Sequence, residues 1–463
     1  MRDLAFVGFI LALLGLGLRR PFLLVLAYVY VDTVSPQRLS YYLLNSIPLS
    51  MVVAGLAMAA WALADDKSRA GISPRQWLMA ALLAWAFYTT SHADFPVEAL
   101  VKWDWVWKSM VWAIFLPLTL RTRLRLEGLL LFLTLSAAAI VIVGGLKTLA
   151  SGGGYGVLNL MVTSNSGLYE SSTISTVAIA LVPIILWLSR FGTVFPREWR
   201  QRLFAANLIF ACLLIPVGTE ARTGLVCIAV LAILMLRDVK RRFLYMALVG
   251  ALGLAALPFL PQSFSSRMDT ISNHETDSSA ATRLAVWGWT WNYAKEHPMG
   301  GGFEAYRQNR LQVHTVTTAG GAGANEVDWR IAEDKGRAYH SSYFEMLGEQ
   351  GFPGLILFLL IHLGGLVRME VLRRRWRRAE GDDAWVAPLA TSLQSAQIVY
   401  LTGSLFVGIA WQPFVWMLLA AQIGLDATLA RRAKKGEEAH AGRGGRLRRL
   451  RNEAARRAFS APC

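Results

Sequence analysis

The sequence is poor in charge, in cysteine and in acidic residues, and each shortage excludes something. Only 17% of its 463 residues are charged while 54% are hydrophobic, too little charged surface for a soluble chain of this length. Three cysteines, Cys212, Cys227 and Cys463, exclude a disulfide framework, since two sit inside apolar runs and one is the last residue. No stretch joins a basic start, a short apolar core and a small-residue cleavage site, so the first apolar segment is expected to be retained. The stretch 261–351 has no Asp-x-Asp pair and no His/Cys cluster with zinc spacing, so neither a metal nor another cofactor is expected. Ser341 and Ser342 lack the turn that exposes a serine nucleophile.

The scarcity of acidic residues leaves a net charge of +16. Its location argues against nucleic acid. Arg431 to Arg457 holds eleven basic residues against three Glu, and Arg368 to Arg378 holds six more. Both stretches follow apolar spans, as cytoplasmic anchors do.

Apolar runs of membrane-crossing length fill most of the rest; Leu43 to Ala64 contains no charge at all. Spans are expected near 4–18, 21–34, 43–64, 76–90, 105–120, 127–147, 172–190, 203–217, 221–236, 242–259, 353–372, 385–402 and 405–428. The first two, divided by Arg19, Arg20 and Pro21, form either a tight hairpin or one broken element, and an internal N-terminus favours about twelve spans in all. Basic connectors at 67–75, 121–125, 190–202, 237–242 and 368–378 alternate with connectors poor in Lys and Arg, which places 91–103, 151–171, 218–222 and 260–350 outside. The expected organisation is all-α: helices over 1–259 (nine or ten spans), a large helical outer segment over 260–350, helices over 351–428, and a basic tail over 429–463 that is disordered or lies on lipid.

Within the outer segment a helix is expected from Ala280 to His297, capped by Ser278 and Ser279 and ended by Pro298. Leu284, Trp287, Trp291 and Ala294 fall on one face and Arg283 lies one turn before Trp287. Gly300, Gly301 and Gly302, followed by Phe303 and Glu304, either let backbone approach a ligand or make a flexible turn. In the run from Tyr339 to Glu345, Ser342 and Glu345 have capping-box spacing, so a helix is expected to start there. His340 then precedes a helix N-terminus that favours an anion, and a neutral imidazole there is either a general base or an ordinary surface histidine. Arg222 sits at the outer edge of an apolar span, where it binds a ligand, pairs with Glu220 or reaches for lipid headgroups. Lys102 and Lys108, among Trp103, Trp105 and Trp107, are either ligand contacts or interfacial anchors. A transporter would line a path with ionisable groups inside its spans, where His362 is the main candidate.

His340-Ser341, nine residues, then Gly351 and Gly354 resembles the signature of the O-antigen ligase and polymerase superfamily, and Arg222 before Thr223-Gly224 resembles its span-opening arginine. Leu18 to Pro21, Gly152 to Tyr155, Ala281 to Trp291 and Gly300 to Tyr306 are similar to the subgroup of exosortase-associated O-glycosylation ligases. The resemblance implies a GT-C-like membrane glycosyltransferase in the bacterial inner membrane, with its active site facing the periplasm and its tail in the cytoplasm. It implies a glycan donor linked to undecaprenyl diphosphate and, for a ligase, a lipid A–core acceptor, as in lipopolysaccharide biosynthesis. By the same resemblance Arg222 and Arg283 hold the diphosphate and His340 activates the acceptor hydroxyl, in an inverting reaction without metal. Lys102, Lys108, Gly301, Gly302, Glu304, Tyr339 and Ser341 are further candidates for donor or glycan contact.

Overall fold

A computed structural model describes residues 1–65, 67, 71–162, 166–237, 241, 244, 278–318 and 327–433. Most of the expected span at 242–259, residues 260–277 of the outer segment and the tail from 434 lie outside these residues, and the helix expected to be capped by Ser278 and Ser279 includes both. The rest is an all-α polytopic membrane protein. In chain order the helices are α1 (Arg2–Arg19), α2 (Phe22–Val34), α3 (Pro36–Leu39), α4 (Leu49–Ala64), α5 (Pro74–Ser91), α6 (Pro96–Thr119) and α7 (Arg123–Ser151). There follow α8 (Ser171–Phe191), α9 (Trp199–Gly218), α10 (Arg222–Met235), α11 (Ser278–Glu296), α12 (Ser342–Arg375), α13 (Val386–Gly403) and α14 (Pro413–Ala433). Five of them, α7, α8, α9, α12 and α14, are long and apolar enough to cross a bilayer, and α2, α4 and α10 are shorter apolar helices.

Local chemistry sets the helix starts. Ser73 accepts from the Gln76 amide while the Gln76 side chain accepts from the Ser73 amide, with Pro74 at the first helical position of α5. Glu170 caps α8, its carboxylate accepting from the amides of Ser172 and Thr173 at 3.0 and 2.7 Å. The first two spans are the tight hairpin: Phe9 and Tyr30 meet with ring centroids 4.8 Å apart. Gly17 permits it, because a Cβ there would lie 2.4 Å from Leu24 Cδ2.

Helix α8 sits at the centre, packed on α7, α9, α10 and α13, while α12 packs on α5, α11 and α13. His362 of α12 is buried in bonds between helices: Gln397 Nε2 donates to its carbonyl at 3.0 Å, and Gln422 Nε2 donates to Gln397 Oε1 at 2.8 Å. It is tied into packing, which removes the main sequence argument for a transport path. The basic connectors gather at one end of the bundle, through Arg75–Asp426 (2.6 Å), Arg368–Asp426 (2.7 Å) and Arg125–Asp65 (2.6 Å). At the opposite end, α11 and the start of α12 meet the end of α5 and the start of α6.

One element departs from the expected helical outer segment. Arg310–Thr318 and Val327–Lys335 form an antiparallel hairpin, with Arg310 opposite Lys335. Val313, Thr315, Val316, Thr317 and Thr318 crowd one stretch with β-branched residues, which favour a pleated backbone. The helix α11 packs inward through residues beside the stripe of Leu284, Trp287 and Trp291. Leu284 and Trp291 stay exposed, while Val286, Thr290, Tyr293 and Ala294 are buried. Polar anchors hold the helix: Tyr293 donates to Asp94, and Trp287 Nε1 donates to the Tyr339 carbonyl at 2.8 Å.

Candidate active site

The site is assembled around a break in α12. Gly351 has φ 64 and ψ −168, a conformation open essentially to glycine alone, and Pro353 has no amide hydrogen to give. The carbonyls of Gly348 and Glu349 therefore lose their helical donors. Gly301 and Gly302 replace them, donating to Gly348 and Glu349 at 3.0 and 2.9 Å, and the Phe352 amide turns to the Pro298 carbonyl at 3.0 Å. Two backbones pass so closely that a Cβ on Gly351 would stand 2.3 Å from the Pro298 oxygen. Gly351→Ala is expected to cost about 1–3 kcal/mol from backbone conformation alone, with the steric conflict added; thermal unfolding in detergent measures it.

The sequence left Gly301 and Gly302 open between a ligand approach and a flexible turn, and here their Cβ positions face protein. A Cβ on Gly301 would meet the Tyr293 hydroxyl at 2.0 Å, and one on Gly302 would meet Ala93 Cβ at 2.4 Å. Both glycines are filled by protein, with the Asp94 amide donating to the Gly301 carbonyl at 2.9 Å.

Beyond the glycines, Lys102 of α6 enters a clamp that the sequence reading lacked. Its Nζ lies 2.7 Å from Glu345 Oε1 and 2.8 Å from Glu349 Oε1. Glu349 also accepts the Glu304 amide at 3.1 Å, and Glu345 accepts the Ala410 amide at 3.2 Å. The spacing of Glu345 and Glu349, one helical turn apart, is the signal that could have revealed the pair. Glu345 therefore does not close a capping box. Ser341 is the N-cap without a side-chain bond, and the Ser342 hydroxyl instead donates to the Val407 carbonyl at 3.0 Å. Glu304, in a left-handed conformation, accepts from the Tyr306 hydroxyl at 2.8 Å and Arg307 Nε at 3.0 Å. Tyr339 is buried with its ring against Gly348. Lys108 stays on an exposed face, paired with Asp104 at 2.7 Å.

His340 immediately precedes this helix start and is half-buried, in a left-handed conformation with φ 49. Burial, then the positive charges of Arg283 and Arg337, lower its imidazole pKa below the ordinary 6.5, against an opposing pull from Glu170. The structure thus brings Arg283 to His340 and adds Arg337 and Glu170, which the sequence reading passed over. Arg222 opens α10, which packs on α8, the helix Glu170 caps, so it stands on the same end of the bundle.

Between Glu170 and the Lys102 clamp lies a cavity of about 750 Å³. Its walls carry Glu98, Glu170, Glu304 and Glu345 against Lys102 and Arg307, with Trp105 and Trp411 between them. Lys102 is already neutralised by two carboxylates, so this wall suits hydroxyl groups better than a phosphate.

Residues 207–359, which include Arg222, Arg283, His340 and Gly351, match the family model described as O-antigen ligase. This segment is a domain of the O-antigen ligase superfamily. Residues 1–193 match a family of unknown function, DUF5935, and no curated protein matches the sequence. The ligase domain thus contains His340, Arg222, Arg283, Glu345 and Glu349, whereas Lys102, Trp105 and Glu170 come from the segment of unknown function. The cavity is lined from both matched segments.

Proposed function

We propose that the protein is an O-antigen ligase, moving a glycan from undecaprenyl diphosphate to a hydroxyl of the lipid A–core oligosaccharide at the periplasmic face of the inner membrane. The observation that carries this reading is the His340 imidazole, its pKa lowered by burial and by Arg283 and Arg337, within electrostatic reach of Glu170, which also lines the hydroxyl-friendly cavity. A neutral imidazole takes the proton as the acceptor oxygen bonds to the anomeric carbon. The bond from that carbon to the diphosphate breaks, and undecaprenyl diphosphate leaves with the electron pair. Arg283 and Arg222 stabilise the charge that grows on it, in a site where low dielectric strengthens the attraction. A single displacement inverts the sugar carbon and asks for no metal.

Deletion of the gene tests the reading. Loss of all O-antigen with intact lipid A–core is the expected gel pattern. Core capped by single repeats would make the protein a polymerase, and unchanged lipopolysaccharide with lost protein or exopolysaccharide glycosylation would make it a ligase for that acceptor. Purified protein in liposomes should transfer glycan with EDTA present; loss of transfer would overturn the metal-free mechanism.

The pH dependence follows from the shifted imidazole. Its folded pKa is lowered, so the neutral form persists above that value and is lost as pH falls through it. The acidic limb of the transfer rate is expected below pH 6.5. Arg283→Gln should move that limb upward, because one of the charges opposing imidazolium is gone. A limb that stays in place would remove Arg283 from the neighbourhood of the base.

A further inference from the structure

A second cavity, of about 420 Å³, adjoins the first and shares Trp105, Ser166, Gly167 and Gln412 with it. Most of its lining comes from the segment of unknown function, including Asp32, Gln37 and Arg38. Its chemistry differs from that of the reaction cavity. The lining holds one carboxylate, Asp32, and one guanidinium, Arg38, so it is balanced in charge and favours neither a diphosphate nor a cation. Hydrogen-bonding capacity remains. Among the described residues the Asp32 carboxylate takes only a long bond, from the Tyr28 hydroxyl at 3.5 Å. Gln37 Oε1 is buried with no partner among the described residues, where an amide oxygen normally has one. Arg38 is held in place by the Ser166 hydroxyl at 2.6 Å. At the junction of the two cavities the Trp105 indole is 43% exposed, a flat apolar surface for the C–H face of a pyranose.

Neutral polar walls, unsatisfied acceptors and an open indole form a site for a polyhydroxylated ligand. We propose that this cavity is an oligosaccharide subsite, holding sugars remote from the bond being made, and that it is built by the N-terminal segment. The proposal rests on the glycan-transfer reading of the neighbouring cavity. Remote sugars bound here raise transfer of long glycans over short ones, because binding energy away from the reacting atoms is spent on positioning them.

The sugars belong either to the donor or to the acceptor, and the experiment separates the two. Full-length protein in liposomes is given donors carrying one sugar or a complete repeat, and acceptors with a full or truncated core. Asp32→Asn and Gln37→Ala should each lower the long-to-short ratio of kcat/KM at least fivefold. A fall confined to donor length places the donor glycan in the subsite, and one confined to acceptor length places the acceptor there. An unchanged ratio for both overturns the proposal. The second measurement is independent of turnover: free oligosaccharide, released by mild acid from the host's lipid-linked donor, should raise the Tm of the wild-type protein and not of D32N. Failure of the wild type to transfer any glycan would count against the function alone; equal Tm shifts in wild type and D32N, or none in either, would count against the subsite.

Discussion

His340→Asn is expected to lower glycan transfer about 10²–10⁴-fold, the usual loss when a positioned general base is removed, while the protein keeps its Tm. Asparagine is the informative choice because His340 sits at φ 49, in the left-handed region that asparagine tolerates better than alanine. His340→Ala would confound a chemical loss with strain of roughly 1–2 kcal/mol. The imidazole is only half-buried, and its backbone lies between the buried Tyr339 and Ser341, so the fold does not depend on the ring. Initial rates in liposomes, read beside thermal unfolding, separate the two effects. An asparagine variant with more than a third of wild-type activity would remove His340 from proton transfer and leave Glu170, on the wall of the same cavity, as the residue to test next.

The helices were legible because membrane crossing demands long apolar runs, and the basic connectors were legible because charge cannot be left inside lipid. Arg283 and His340 could be paired through resemblance, and the structure puts them within electrostatic reach of each other. The hairpin at 310–318 and 327–335 was missed although its β-branched run was visible, because nothing local says that two such strands pair. The glycines stayed ambiguous for a related reason. A glycine marks a close approach without naming what approaches, and here Gly301 and Gly302 face Tyr293, Asp94 and Ala93. The Lys102 clamp joins residues more than 240 positions apart, a distance over which composition and periodicity carry no information. Glu345 and Glu349 gave a hint in their spacing, which capping rules explained too readily.

Lys102→Met should destabilise the protein by about 3–5 kcal/mol, the range for removing one partner of a buried ion pair. The lysine serves two carboxylates at once, and the Glu349 side chain is fully buried. Methionine keeps most of the packing volume and removes the only described cation bonded to the pair, so the loss reports electrostatics and not a cavity. The consequences spread through two further bonds. Glu349 holds the Glu304 amide and Glu345 holds the Ala410 amide, so the 301–304 segment and the 408–410 turn both lose their register on α12. Those segments form the wall of the reaction cavity that carries Glu304, Gly408 and Ile409. Transfer should therefore fall even below the unfolding temperature. Neutralising the partners in the triple variant Lys102→Met, Glu345→Gln, Glu349→Gln should recover much of the Tm, since a buried neutral cluster that can still hydrogen-bond avoids the cost of an isolated charge. A single variant as stable as wild type would mean that the clamp is not the device that seats the loop on the bundle.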